Sequence, residues 1–93
     1  MKAEVILLSQ WDKLINEILK LNRNMRFEDL AKALIKIGYT QSQPRSGSSH
    51  YTFRKKNCEP ITLPKSKRAQ IDIVYIRIVR EAIIDYLKDG GEE

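Results

Sequence analysis

The sequence predicts an α+β protein: a small three-stranded antiparallel sheet with helices packed on one face, plus an N-terminal helix. Three observations lead there. Apolar residues recur at three- and four-residue spacing before residue 38 and again after residue 72, as on helices that bury one side. Between these stretches the period shortens to two, and the segments are bounded by Pro44, Gly47, Pro60 and Pro64. The chain has 93 residues, 42% apolar and 31% charged, enough for one domain and too apolar for a disordered one. A domain of this size hides roughly two thirds of its unfolded surface, so its core is modest.

The elements follow in order. Ser9 and Asp12 have the spacing of a capping box, with the serine capping the helix start and the acid bonding back. Trp11, Leu14, Ile15, Ile18 and Leu19 then mark one side of a helix running to about Leu21. A second stripe, Phe27, Leu30, Ala31, Leu34 and Ile35, ends where Gly38 supplies a C-terminal cap. Residues 39–43 and 49–55 read as strands across a turn at 44–48, and 60–64 as a short third strand bounded by prolines. In the middle strand Tyr51 and Phe53 share the inner side, so His50, Thr52 and Arg54 share the open one.

The last segment is rich in β-branched residues from Ile71 to Val79 and passes locally for a strand. Its longer pattern decides the matter. Tyr75, Ile78, Val79, Ala82, Ile83 and Tyr86 keep helical spacing over more residues than a strand usually has, with Asp72 placed to cap and Gly90-Gly91 to stop. The expected organisation is a helical extension over residues 1–24, a domain over 25–89 and a flexible tail over 90–93.

Charge is unevenly placed. The formal net charge is +5, but residues 45–68 carry seven basic side chains against Glu59 alone, and the chain from Glu81 onward carries five acids against Lys88. A concentrated basic middle suits a polyanion such as nucleic acid; a solvated basic surface is the plain alternative. No apolar run approaches the roughly 20 residues that cross a bilayer, and the apolar patch within residues 1–9 is too short for a secretory leader and is interrupted by an acid, Glu4. The single cysteine, Cys58, excludes an internal disulfide framework, and a cytoplasmic protein is expected.

Few residues are left for chemistry. The four glycines, Gly38, Gly47, Gly90 and Gly91, form no phosphate loop, and the acids lie mainly on helices and in the tail. One histidine and one cysteine make no metal site without a carboxylate cluster, so no metal or cofactor is expected. A Cys58–His50 nucleophile pair is conceivable across a hairpin, although a lone cysteine in a reducing compartment is usually inert. The remaining feature is Gly47-Ser48-Ser49-His50-Tyr51-Thr52-Phe53, followed by Ile61-Thr62-Leu63-Pro64-Lys65.

In these residues the chain resembles the HicA family of toxin–antitoxin ribonucleases. That family's marks are a Gly-Ser-His opening to one strand and a Leu/Ile-Thr-Ile/Leu-Pro strand after it. Arg26-Phe27-Glu28-Asp29-Leu30 and Ile37-Gly38-Tyr39 look like the start and exit of its first helix. The likeness runs from about Arg26 to about Ile84, and its specificity lies in the order and spacing of short motifs. It implies a fold like a double-stranded RNA-binding domain, cleavage of messenger RNA during stress, and restraint by a HicB-like antitoxin. The family's essential histidine maps onto His50. One departure is Ser49, which separates Gly47-Ser48 from His50: either the turn absorbs it, or the strand register slips and His50 turns inward.

The chemistry is defensible from the residues too. RNA carries its own nucleophile, the 2′-hydroxyl, so cleavage needs a base for that proton and cations for the charge developing on phosphate. Imidazole as a class titrates near pH ~6.5, which suits the first task. His50 is the candidate base, and Arg54 lies on the same side roughly 13 Å along the strand. Arg45, Ser48, Ser49, Arg54, Lys65, Lys67 and Arg68 are the candidate RNA-binding residues. Lys65, Tyr51, a serine or water are open choices for the general acid. Two other readings compete: a non-catalytic RNA-binding module using the same basic residues, and a protein-binding domain meeting an acidic partner.

Overall fold

The computed structural model describes residues 10–43, 49–65 and 70–89. In chain order these form α1 (Gln10–Leu19), α2 (Phe27–Lys36), β1 (Thr40–Gln41), β2 (His50–Arg54), β3 (Ile61–Pro64) and α3 (Ile73–Lys88). The strands make one antiparallel sheet in the order β1-β2-β3. The α+β class read from the sequence is the observed one.

α1 buries Ile18 completely and half-buries Trp11, Leu14, Ile15 and Leu19, the stripe its spacing predicts. It packs on both α2 and α3. The helix stops before Leu21, which adopts a left-handed conformation at φ 59°. Two reversed hydrogen bonds close the turn, Leu21 N–H to the Ile18 carbonyl at 2.9 Å and Asn22 N–H to the Glu17 carbonyl at 3.0 Å. The Asn22 side-chain amide also donates to the Glu17 carboxylate. Arg80 Nε of α3 donates to the Leu19 carbonyl at 3.0 Å, satisfying a helix-end acceptor from 61 residues away. The expected cap, Ser9, lies outside the described residues.

α2 opens with Arg26 in an extended conformation and its N–H held by Asp29 Oδ2 at 2.9 Å. Phe27, Leu30, Ala31, Ala33 and Leu34 are buried. Ile35 was expected in this stripe and is instead 51% exposed. At 3.6 residues per turn it lies about 120° round the helix from the middle of the buried arc.

Gly38 ends α2 at φ +110°, with its N–H on the Ile35 carbonyl (3.1 Å) and the Tyr39 N–H on the Leu34 carbonyl (2.9 Å). A Cβ here would stand 3.1 Å from Lys55 Cε, whose ammonium donates to the Ile37 carbonyl at 2.7 Å. Gly38→Ala is therefore expected to destabilise the fold by about 1–2 kcal/mol, the usual cost of a left-handed alanine. A urea midpoint equal to that of the unmodified protein would refute this.

The strands are shorter than expected. In β1 only Thr40 and Gln41 pair regularly, opposite Arg54 and Phe53, although Ser42 N–H still reaches the Thr52 carbonyl at 2.9 Å. β2 and β3 pair His50 with Pro64, Tyr51 with Leu63, Thr52 with Thr62 and Phe53 with Ile61. Phe53, Ile61 and Leu63 are buried on the helix side. Among the described residues no helix covers the other side of the sheet, where Thr40, His50, Arg54 and Thr62 are exposed.

α3 is a helix despite its β-branched run, because it buries Ile76, Val79 and Ile83 completely in the shared core. Asp72 Oδ1 caps it by accepting from Val74 N–H at 2.9 Å. The buried stripe is rotated from the expected one: Ile76 is inside, Ile78 is 41% exposed, and Tyr75, Ala82 and Tyr86 are half-buried. Just before the helix, Ile71 N–H reaches the Met25 carbonyl at 2.9 Å and ties α3 to the α1–α2 junction. Gly90 and Gly91, the expected stop, lie outside the described residues.

Candidate functional site

The pleat of β2 sorts the middle strand onto two sides. Phe53 and Tyr51 point to the helices and meet Phe27, with ring centroids 6.3 and 5.2 Å apart. His50 and Arg54 are exposed on the opposite side, with Thr52 between them. Ser49 stays outside the strand, and its carbonyl accepts the Lys65 N–H at 2.7 Å. Of the two registers open to the sequence, the observed one keeps His50 outward, three residues before Phe53.

Cross-strand neighbours extend this open face. Thr62 stands opposite Thr52, with their Oγ1 atoms 3.2 Å apart. Thr40 stands opposite Arg54, and Ser42 donates its hydroxyl to the Thr52 carbonyl at 2.7 Å. The face is a row of hydroxyls with an imidazole at one end of β2 and a guanidinium at the other. Thr40, Ser42 and Thr62 are not among the candidate site residues read from the sequence, although Thr62 lies in the Ile61–Pro64 motif. The signal was their alternation with buried Tyr39, Ile61 and Leu63.

The other candidates disperse. Lys65 follows Leu63 on the helix side, where its ammonium lies 5.6 Å from the Phe27 ring centre and 5.9 Å from that of Tyr51. Lys65 and Tyr51, both considered as general acids, thus face away from His50 across the sheet. Arg54 borders a shallow groove of about 380 Å³ with Thr40, Lys55, Lys56, Cys58 and Pro60. Arg45, Ser48, Lys67 and Arg68 lie outside the described residues.

Lys55, one of the basic residues of the middle stretch, is occupied in holding the fold. Besides capping the Ile37 carbonyl, its ammonium sits 5.0 Å from the Tyr86 ring centre and 5.7 Å from that of Tyr39. Cys58 is exposed in the β2–β3 turn, at the opposite end of β2 from His50, so the strand holds that nucleophile pair apart.

Tyr39 is buried, and its hydroxyl is pushed up to about 12, first by burial, then by Cys58 and Asp85 nearby. A pKa above the usual 10.0 means that folding favours the neutral phenol. This stabilisation is complete below pH 10 and is lost as pH rises through about 12. An ultraviolet titration is expected to show a tyrosinate step near 12 that Tyr39→Phe removes. An unchanged titration in that variant would contradict the assignment.

Among the described residues no group of three or more His, Cys, Asp or Glu side chains is placed to hold a metal ion, and no helix is long and apolar enough to cross a membrane. Fold and site together define a small α+β domain with an open sheet face that combines a histidine, an arginine and paired threonine hydroxyls. No protein-family model, curated protein or solved structure matches the chain.

Proposed function

We propose that this chain is a HicA-like toxin of a toxin–antitoxin pair: a cytoplasmic, metal-independent endoribonuclease that cleaves messenger RNA with His50 as general base. The observation that carries the reading is the shared exposure of His50 and Arg54 on the open sheet face. In the proposed step the His50 imidazole takes the proton of a ribose 2′-hydroxyl. The 2′-oxygen attacks the adjacent phosphorus, and the bond to the 5′-oxygen breaks. The departing oxygen receives a proton from water or a serine hydroxyl, leaving a 2′,3′-cyclic phosphate and a 5′-hydroxyl end. Arg54 offsets the charge that develops on the phosphoryl oxygens. Arg45, Lys67 and Arg68 belong to the same basic stretch of sequence and would hold the flanking backbone. A HicB-like antitoxin would silence the protein by covering this face.

The test is incubation of the purified protein with end-labelled RNA in the presence of a chelator. Cleavage that survives chelation and leaves cyclic phosphate ends is expected. Salt-sensitive binding without products after long incubation would replace the nuclease with the second reading, a non-catalytic RNA-binding module. The hydroxyl row and Arg54 favour that reading as the alternative, because they form a polar binding surface without His50.

A further inference from the structure

We infer that the paired hydroxyls of Thr52 and Thr62 recognise the ribose of the bound strand, so that the open face distinguishes RNA from DNA by its sugar. The inference rests on the reading that this face meets RNA, and it adds which atoms of the RNA are read.

The argument starts from hydrogen-bond capacity. Each threonine hydroxyl supplies one donor and two acceptor sites. The single Thr52–Thr62 contact at 3.2 Å uses one donor and one acceptor, whichever atom donates. One O–H and three acceptor sites remain on the pair, and Thr62 is exposed. A phosphate only accepts, so most of that capacity would be wasted on it. A ribose 2′-hydroxyl both donates and accepts, and fits the pair. Deoxyribose lacks that hydroxyl and so has no donor for the three acceptor sites.

Position agrees with chemistry. Successive outward residues of a strand are about 6.6 Å apart, so Thr52 sits midway between the imidazole end and the guanidinium end. A sugar held there lies between the base that would deprotonate a 2′-oxygen and the cation that would meet a phosphate. Base stacking is not the competing mode. Phe27, Tyr39, Tyr51 and Phe53 all lie on the helix side, and among the described residues no Phe, Tyr or Trp ring belongs to the open face.

The experiment compares fluorescence anisotropy of a labelled oligouridine with that of the oligodeoxyuridine of equal length. Both are measured with the His50→Ala protein, so that no strand is consumed. The expected preference for RNA is about tenfold, the size of one or two net hydrogen bonds. Adding Thr52→Val and Thr62→Val is expected to lower RNA affinity to the DNA level and leave DNA affinity unchanged. A variant that had merely lost its fold would weaken both, and its thermal melting curve is the control. Equal binding of RNA and DNA by the parent, failure to bind either, or an RNA preference that survives the double substitution would each overturn the inference. The nuclease reading fails separately. RNA-selective binding by a protein whose wild-type form yields no cleavage products sustains the sugar contact and removes the enzyme. Cleavage by a protein without sugar selectivity does the reverse.

Discussion

His50→Ala is expected to retain the wild-type melting temperature and to lose RNA cleavage by about 10²–10⁴-fold, the usual contribution of a positioned general base. The two halves of this expectation come from one placement. His50 is exposed on the open side of β2, and substitutions at such positions usually change stability by less than about 0.5 kcal/mol. Its backbone pairing with Pro64 does not depend on the side chain. If imidazole takes the proton of a 2′-hydroxyl, removing it costs rate without costing structure. His50→Gln preserves size and polarity but cannot act as a base, and the same loss is expected. A folded His50→Ala protein that cleaves at the wild-type rate would exclude the proposed chemistry.

The largest effect on stability is expected at Phe53. Its side chain is completely buried at the centre of the sheet's inner side, tilted against Phe27 with centroids 6.3 Å apart, and its strand neighbours are Thr52 and Arg54. Phe53→Ala is expected to cost about 3–5 kcal/mol, through lost burial and an incompletely filled cavity. Domains of this kind are stable by only about 5–15 kcal/mol, so the loss takes a large fraction of the total. Phe53→Leu conserves most of the volume and is expected to cost less than about 1.5 kcal/mol. Urea unfolding of the two variants measures both. Near-equal midpoints would mean that Phe53 does not anchor the inner face. The anchoring matters for the site, because a one-residue slip of β2 would turn His50 toward the helices.

Much of this arrangement was legible in the sequence where local chemistry decides it. The two-residue period of His50 to Arg54 has one solution once Phe53 is assigned to the core, and Gly38 and Asp72 act within their own turns. Distant partners decided the rest. In α3 apolar residues occur almost all round the helix, so the phase of its buried stripe is chosen by what α1, α2 and β3 present to it. That choice buries Ile76 and leaves Ile78 half out. Ile35 is outside for the same kind of reason. The lysines were harder still. Sequence counts Lys55 and Lys65 as free positive charge, whereas the fold draws Lys55 onto Ile37, Tyr39 and Tyr86, and Lys65 onto Phe27 and Tyr51. The approaches of Lys55 to Tyr39 and of Lys65 to Tyr51 are brought about by the β1–β2 and β2–β3 pairings, and the other contacts join segments farther apart in the chain.

The hydroxyl row has a similar history. Thr40, Ser42, Thr52 and Thr62 are unremarkable one by one, and strands commonly carry threonine on their solvent side. Only the pairing of Thr52 with Thr62, and of Thr40 with Arg54, shows them as one surface.

The most direct test of the central claim is paired expression of the wild-type protein and His50→Ala in a host cell, following growth together with messenger RNA integrity. With both proteins soluble and folded to similar levels, the account predicts growth arrest and RNA loss with the wild type alone. Intact RNA under wild-type expression, or equal RNA loss with His50→Ala, would contradict it.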